Sequence, residues 1–311
     1  MNKILMPILF FIITTISHGQ NEQKNYTDAF KLVEVWLDAQ KDFENIPSIN
    51  AMVVKDQKVL WKGAFGSSNI EQKTEAKTST NCSICSITKS FTAIAILKLI
   101  DDGQLNLDDK VKDILPFYKV KQKFLEGGPV TIRSLLSHSS GLPGNSGHSY
   151  FTGPNFNFPT QSEFRLIFKD LETKSKVGSE INYSNIGYAL LGEIIERISG
   201  ISYDKYIMDE IITPLKMNST YFEMKPRSKQ QAIGYTAINR NRTRNRVNIF
   251  NTKSMQPAMG LWTTIDDLAN FISWQFRLRE ATTTEILKSS SLKSMYTSQV
   301  TNKYMSWGLG F

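Results

Sequence analysis

Apolar residues along the chain follow two spacings, and each spacing predicts a different kind of element. Residues 29–43 carry apolar side chains at the three- and four-residue intervals of an amphipathic helix. Residues 48–54 and 59–66 are apolar and β-prone, and the polar residues 55–58 between them indicate a hairpin. The stretch 304–311 is also strand-like. Strands are therefore predicted near both ends of the sequence.

The middle of the chain is predicted to be mainly helical. Residues 91–100 are apolar nearly all round, which is typical of a buried helix, and Gly103 suits the left-handed turn past its end. Further elements are predicted as helices over residues 130–138, 161–173, 186–199, 203–212 and 263–278, and as a strand-like stretch over residues 234–250. We therefore expect an α/β fold of the α+β type. Its antiparallel sheet is built from both termini and flanked by helices, with a mainly helical inserted domain.

This order of elements predicts three parts. Residues 1–19 contain an early lysine, then an apolar run, then small residues, which is the pattern of a secretory signal peptide. The apolar run is shorter than the roughly 20 residues that span a bilayer, so we expect cleavage and no transmembrane anchor afterwards. Residues 20–84 with 255–311 form the predicted sheet-containing domain, and residues 85–254 the helical one, with the active site at their junction. The protein is expected to be exported, either periplasmic or secreted.

Composition and charge narrow the range of partners. The 311 residues are 41% hydrophobic and carry a formal net charge of +8. The basic excess is concentrated in Arg227, Lys229, Arg240, Arg242, Arg244 and Arg246. Alternating arginines are typical of a solvated hairpin face, so we do not predict a nucleic-acid partner. A basic exported protein would instead be drawn to anionic cell-wall polymers or membrane surfaces.

The two cysteines, Cys82 and Cys85, have C-x-x-C spacing, which leaves two interpretations open. In an oxidising compartment the pair fits a thioredoxin-like redox site, although no βαβ pattern surrounds it. Alternatively, both are small apolar packing residues, and the sequence does not decide whether they form a disulfide. His138 and His148 belong to no cluster with metal-ligand spacing, so neither a metal nor another cofactor is predicted.

Ser86 and Lys89 form a Ser-x-x-Lys pair directly before the buried helix. Residues three apart on a helix face the same side, so the two side chains are within reach of each other. Ser86 falls at the first turn, where free backbone N–H groups favour negative charge. Lys89 lies one turn in, where partial desolvation lowers a lysine's pKa and makes the neutral amine available as a base. A hydroxyl beside such a base is an activated nucleophile.

Tyr183 and Asn185 lie two apart in an extended segment just before a predicted helix, so they point the same way. Near a lysine a phenol is able to relay a proton, since a neighbouring cation favours the phenolate. An asparagine there is able to hydrogen-bond a substrate amide. A loop tyrosine that caps the edge of the core fits this short motif equally well.

These segments also occur in one order with two others, and together they carry a resemblance. The additional segments are residues 135–143 (Leu-Leu-Ser-His-Ser-Ser-Gly-Leu-Pro) and 257–264 (Pro-Ala-Met-Gly-Leu-Trp-Thr-Thr). The chain resembles the beta-lactamase-related serine hydrolases over roughly residues 46–311. That family comprises class C beta-lactamases, D-Ala-D-Ala carboxypeptidases and their esterase relatives, so the resemblance implies an acyl-enzyme mechanism on an amide or ester.

The resemblance implies a role for each candidate residue. Ser86 would be the acylated nucleophile, with its backbone N–H in the oxyanion hole, and Lys89 would be its proton partner. Tyr183 would act as general base and Asn185 would bind the substrate's amide, while His138 would be structural. The expected partner is a small-molecule or peptide substrate, and peptides derived from the cell wall belong to this class. The sequence does not indicate an oligomeric state.

Two departures from the family pattern lead to further expectations. Met259 replaces a usual glycine. The family's third motif, a Lys-Thr-Gly or His-x-Gly strand, has no match between Gly260 and Phe311. We therefore expect the C-terminal strands to be incomplete, with an unpaired sheet edge, and this 311-residue form to be weak or inactive. The alternative is a degenerate or truncated relative that binds cell-wall peptide or a partner without turnover.

Overall fold

The computed structural model describes four stretches of the chain, residues 26–145, 156–222, 231–248 and 250–311. The predicted signal peptide, His148, Arg227 and Lys229 lie outside the described residues. Within the described stretches, no helix is both long and apolar enough to cross a bilayer.

The largest sheet is a hairpin with a short third strand. Strands β1 (Ser48–Lys55) and β2 (Lys58–Asn69) pair antiparallel, and β3 (Thr74–Glu75) pairs with β2 on its other edge. Asp56 has a φ of +57° in the turn, a conformation that aspartate tolerates better than most residues. The predicted hairpin is confirmed.

Helix α1 (Thr27–Phe43) confirms the first predicted helix and rests on this sheet. The ring of Phe30 stacks on Trp61 of β2, with centroids 5.9 Å apart. The indole Nε1 of Trp61 also donates a hydrogen bond to Glu34 of the helix at 2.8 Å. Apolar and polar contacts one turn apart therefore fix the helix to the same strand.

Helix α2 (Thr88–Asp101) is the central helix, and the prediction that it is buried is confirmed. Eleven of its fourteen residues are buried. It packs against later helices of the chain on more than one side, as an all-round apolar sequence requires. Beyond the cap at Asp102, Gly103 has a φ of +74° and donates to the carbonyl of Ile100, which ends the helix as expected.

The remaining helices are short except for two. In chain order they are α3 (Val111–Ile114), α4 (Ile132–Leu136), α5 (Gln161–Ile167), α6 (Asn185–Ser199), α7 (Tyr203–Ile207), α8 (Gln256–Met259), α9 (Ile265–Glu280) and α10 (Ser289–Met295). The Thr131 side chain caps α4 by accepting from the backbone N–H of Ser134, and Ser184 caps α6 by accepting from that of Gly187. Because Ser184 lies between Tyr183 and Asn185, this cap also fixes the second candidate segment.

Two predicted elements differ from the structure. The helix predicted over residues 161–173 ends at Ile167, because residues 171–173 instead pair with Lys121 through backbone hydrogen bonds. The strand-like stretch 234–250 forms only an isolated bridge between Tyr235 and Arg246 among its described residues. In the loop between them, the Asn239 side chain accepts hydrogen bonds from backbone N–H groups, which closes a turn and ends the ladder.

Two further two-stranded sheets complete the strand pairing of the described residues. β4 (Cys82–Ser83) pairs with β5 (Trp262–Thr263), and β6 (Val300–Thr301) pairs with β7 (Ser306–Trp307). The predicted class is confirmed, as a mixed helix and strand fold with small antiparallel sheets. One detail differs, because β6 and β7 pair with each other rather than with the β1–β2 hairpin, and early and late chain meet in the β4–β5 ladder.

Candidate active site

Ser86 lies on a short 3-10 turn, Cys85–Ile87, which leads directly into α2. Its side chain is exposed, so a substrate is able to reach it. The first backbone hydrogen bond of the turn runs from the N–H of Ile87 to the carbonyl of Ile84, at 3.0 Å. The N–H of Ser86 precedes that bond and is thus one of the unpaired donors of a helix start, as an oxyanion hole requires.

The backbone just before Ser86 is strained. Cys85 has a φ of +42°, a region that residues with a side chain rarely adopt. The strained turn is anchored on its N-terminal side, where Ile84 donates to the carbonyl of Leu261 at 3.0 Å next to the β4–β5 ladder. Such strain persists only where surrounding structure enforces it, and it is concentrated at functional sites.

Lys89, one turn further, is buried with 3% of its surface exposed. Its Nζ donates three hydrogen bonds, at 2.8 Å to Asn185 Oδ1, at 2.8 Å to the carbonyl of Ala258 and at 3.2 Å to Ser86 Oγ. The three acceptors belong to α6, α8 and the turn before α2. The amine is therefore held in one position by three separate parts of the chain.

Burial lowers the pKa of Lys89 from its ordinary value of 10.5 to about 7. Near neutral pH, a large fraction of the folded protein thus carries the free amine. A neutral amine keeps two N–H donors and gains a lone pair. Asn185 Oδ1 and the Ala258 carbonyl have no proton to give, so the lone pair fits only the direction of Ser86 Oγ. In its neutral form, the Lys89 amine is therefore placed to accept a hydrogen bond from the Ser86 hydroxyl.

Tyr183 lies beside both residues, with 40% of its surface exposed. Lys89 Nζ sits 4.8 Å from the centroid of its ring. Burial raises the pKa of the Tyr183 phenol above its ordinary value, and the neighbouring Ser86 side chain offsets this only in part. The net shift runs against the phenolate that a nearby lysine was expected to favour, so Tyr183 stays protonated at neutral pH.

Asn185, the first residue of α6, is buried and uses both ends of its amide. Its Oδ1 accepts from Lys89, and its Nδ2 donates to Asn145 Oδ1 at 3.0 Å. Asn145 is exposed, so a substrate carbonyl is able to replace it as the acceptor. The structure thus brings together all four residues that the sequence singled out, Ser86, Lys89, Tyr183 and Asn185.

The position of the Ala258 carbonyl depends on a close approach between α6 and α8. A Cβ at Gly192 of α6 would lie 2.1 Å from Cγ of Pro257, the residue before Ala258. A contact that short is impossible without displacement of the proline ring. Met259, which stands where the family usually has glycine, directly follows Ala258 and is buried in the core.

The substitution Gly192→Ala is expected to lower the free energy of unfolding by roughly 1–3 kcal/mol, because it overpacks this contact. The control is Gly187→Ala on the same helix, where the new Cβ meets ordinary contacts of 3.5–3.6 Å. Alanine should be neutral or stabilising there, because its helix propensity exceeds that of glycine. Thermal unfolding of both variants checks this, and equal effects at the two glycines would contradict the packing argument.

Within the described stretches, the cysteines form no disulfide and no metal-binding cluster is present. Cys82 and Cys85 are both free thiols, and Cys85 Sγ lies 3.5 Å from Ser83 Oγ. No group of three or more histidine, cysteine or acidic side chains in the described stretches has metal-binding geometry. A separate cavity of about 330 Å³ lies between α5, α6 and residues 251–257, and none of the four site residues lines it.

A sequence profile of the Beta-lactamase family matches residues 36–311. The chain belongs to the Beta-lactamase family. The resemblance drawn from the motifs is thereby confirmed, and its fold is that of a family of serine hydrolases.

Relatives of known sequence agree with this assignment. "Protein flp" of Staphylococcus aureus (strain MW2) is 34% identical over 234 residues, which are 74% of this chain and 46% of that protein. "Beta-lactamase-like protein 1" of Dictyostelium discoideum is 26% identical over 330 residues, 83% of this chain and 52% of that protein. The chain thus spans about half the length of the curated relatives that it matches.

Two solved structures share the fold. The octameric penicillin-binding protein homologue from Pyrococcus abyssi superposes with a TM-score of 0.80 at 31% identity, covering 91% of this chain and 64% of that one. EstCE1, described as a hydrolase with promiscuous acyltransferase activity, superposes with a TM-score of 0.75 at 19% identity, covering 92% and 83%. The second likeness concerns the fold alone.

Three groups of this Beta-lactamase family site were missed by sequence reasoning. They are Asn145, the backbone carbonyl of Ala258, and Trp307 of β7, whose ring lies edge-on to Tyr183 with centroids 5.8 Å apart. A backbone carbonyl carries no signal in the sequence. Asn145 does belong to a Gly-, Asn- and Pro-rich stretch, which marked a loop without marking the residue.

The stability of the folded protein should depend on pH through Lys89. Between pH 7 and 10.5 the unfolded chain binds more protons than the folded one at this position, so stability contributed by Lys89 rises with pH in that range. The variant Lys89→Met lacks this titration. The unfolding free energy of the wild type minus that of the variant should therefore increase from pH 7 to pH 10. Urea unfolding at both pH values checks this, and a constant difference would contradict the lowered pKa.

Proposed function

We propose that the chain is an exported serine hydrolase that cleaves an amide or ester through an acyl-enzyme on Ser86. The observation that carries the proposal is the hydrogen bond of 3.2 Å between Lys89 Nζ and Ser86 Oγ, at an amine whose pKa is about 7. A nucleophile next to a base that is fixed by further partners is the arrangement that covalent catalysis requires. Membership of a serine hydrolase family supports the same conclusion.

In the proposed acylation step, Ser86 Oγ attacks the substrate carbonyl carbon while its proton passes to the neutral amine of Lys89. The backbone N–H of Ser86 donates to the oxygen that becomes negative, the kind of contact whose loss costs roughly 10²–10³ in rate. The bond to the leaving group then breaks. The leaving group takes a proton from Tyr183, whose phenol is protonated at neutral pH. Tyr183 recovers a proton from the Lys89 ammonium.

Deacylation reverses the proton movements. Water attacks the acyl carbon and gives a proton to Lys89, and Ser86 Oγ leaves with that proton to restore the hydroxyl. In this scheme Lys89 takes the first proton, and Tyr183 acts as a proton carrier on the leaving-group side. This differs from the role of general base that the resemblance implied for Tyr183, because burial keeps the phenol protonated.

The proposed substrate is a small molecule or peptide with a reactive carbonyl, such as a beta-lactam, a D-Ala-D-Ala peptide or a simple ester. Asn185 Nδ2 would bind a substrate carbonyl in place of Asn145. The apolar leader of the sequence supports export, and the charge of +8 suits an environment of anionic envelope polymers. The fold does not select among these substrates, since all share one nucleophile.

Covalent labelling tests the proposal. The protein is incubated with a fluorescent fluorophosphonate and a fluorescent penicillin, and the modified peptide is identified by mass spectrometry. We expect label on Ser86, its loss in Ser86→Ala, and its retention in Ser83→Ala, a nearby hydroxyl that serves as control. Folded protein without label on Ser86 would reject the hydrolase. Label on Ser86 with no release of product from nitrophenyl esters would instead indicate a protein that binds without turnover.

A further inference from the structure

His138 is fully buried at the C-terminal end of α4, with a φ of +55°. The loop that follows it, up to residue 145, contacts the segment that contains Tyr183. Asn185 donates from its backbone to the carbonyl of Gly144 at 2.9 Å, and the Ser184 hydroxyl donates to the carbonyl of Pro143 at 2.8 Å. The segment 182–185 is therefore docked on this loop.

His138 supplies two acceptors in this docking. Its backbone carbonyl accepts from the N–H of Asn182 at 2.7 Å, and its side-chain Nδ1 accepts from the N–H of Ser184 at 3.0 Å. Tyr183 is the residue between those two amides. Its backbone is thereby pinned on both sides by a single residue.

The imidazole ring also contacts the phenol ring directly. The centroids of His138 and Tyr183 are 4.3 Å apart, and His138 further contacts the rings of Tyr188 at 4.9 Å and Trp307 at 4.7 Å. Lys89 Nζ lies 4.8 Å from the Tyr183 ring. The Tyr183 ring therefore packs against the imidazole of His138 and the amine of Lys89. Both contacts restrict the rotation of the Tyr183 side chain.

The hydrogen bond at Nδ1 fixes the protonation state of the imidazole. Because Nδ1 accepts, the ring proton of the neutral form is on Nε2, which has no hydrogen-bond partner among the described residues. Burial, assisted by the nearby Lys89 charge, lowers the pKa of His138 to about 3. Protonation would remove the acceptor for Ser184 and place a second positive charge beside Lys89.

We infer that His138 is a positioning residue of the proposed hydrolase, whose Nδ1 holds the backbone around Tyr183 so that the phenol and Asn185 reach Ser86 and Lys89. This inference rests on the proposed function. It assigns the histidine no contact with substrate. Its effect on the reaction passes through Tyr183 and Asn185, and a displacement of about 1 Å at such groups is able to cost roughly 10²-fold in rate.

Two substitutions separate the acceptor from the ring. His138→Asn keeps an acceptor, because Asn Oδ1 occupies nearly the place of Nδ1, and asparagine tolerates positive φ. His138→Phe keeps a ring and loses the acceptor. We expect His138→Phe to react with a fluorophosphonate about 10²-fold more slowly than wild type, in the rate constant for bond formation rather than in reagent affinity. His138→Asn should react at least tenfold faster than His138→Phe.

A second measurement does not depend on activity. Hydrogen exchange of the Ser184 amide, followed by NMR, should be protected in wild type and in His138→Asn and fast in His138→Phe. If the wild-type protein takes no label, the proposed function is rejected. The exchange rates of the Ser184 amide would then still show whether His138 holds the backbone beside Tyr183. Equal labelling and equal Ser184 protection in the Phe and Asn variants would overturn the inference. If His138→Phe does not fold, His138→Gln replaces it, because its amide oxygen lies one carbon beyond the position of Nδ1.

Discussion

Replacing Lys89 with methionine is expected to slow acylation of Ser86 by roughly 10²–10⁴-fold, the range that a positioned general base contributes. Methionine keeps an unbranched apolar chain in a buried site and removes the amine that accepts the serine proton. The rate of reaction with a fluorophosphonate or a nitrophenyl ester measures the effect. Lys98→Met is the matched control, since Lys98 lies on the same helix and pairs with Asp102 and Glu210 instead.

The same residue sets the expected pH profile. Only the neutral amine accepts a proton, so the acylation rate of the wild type should rise with pH through about 7 and then level off. The raised pKa of Tyr183 keeps the phenol protonated across that rise. In Lys89→Met the residual rate should lack the step near pH 7. A wild-type rate that is flat from pH 5 to 9, or a variant as fast as the wild type, would remove Lys89 from the mechanism.

Trp274→Ala is expected to lower the free energy of unfolding by roughly 3–5 kcal/mol, the range for truncating a large buried aromatic residue. Trp274 is fully buried on α9. Its ring contacts Phe271 with centroids 6.0 Å apart, and Phe271 stacks on Phe91 of α2 at 4.4 Å. Loss of the indole would therefore leave a cavity beside the helix that carries Lys89. Urea unfolding followed by circular dichroism measures the change.

Trp274→Phe is the control for this cavity. The indole Nε1 is buried without a hydrogen-bond partner among the described residues, so its removal relieves an unsatisfied donor. Phenylalanine keeps most of the ring contacts, and the cost should stay below about 1.5 kcal/mol. A Trp274→Ala protein within 1 kcal/mol of the wild type would show that neighbouring side chains refill the space.

The parts of the site that depend on local spacing were predictable from the sequence. Ser86 and Lys89 are three residues apart, and the apolar run behind them fixes both the helix and its burial. The cap residue Thr131 and the turn at Gly103 follow from local backbone chemistry in the same way. Tyr183 and Asn185 were singled out by their two-residue spacing before a predicted helix, and the order of several weak motifs then linked them to Ser86 and Lys89.

Long-range contacts and the direction of the Tyr183 pKa shift were not predictable from the sequence. The Ala258 carbonyl and Asn145 meet Lys89 and Asn185 only through tertiary packing, which no periodicity encodes. The direction of the Tyr183 pKa shift depends on how far burial outweighs the effect of the neighbouring Ser86 side chain. The predicted strand over residues 234–250 failed because the side chain of Asn239 competes for the backbone, although its β-prone neighbours suggested a ladder.

The three acceptors of Lys89 lie 3, 96 and 169 residues away along the sequence. Segments this distant meet late when a denatured chain folds again, because closing long loops costs entropy before any contact compensates for it. Helical signal should return early in such an experiment, while reactivity toward a phosphonate should return last. We therefore expect Ser86 to become reactive only after all three segments have met Lys89.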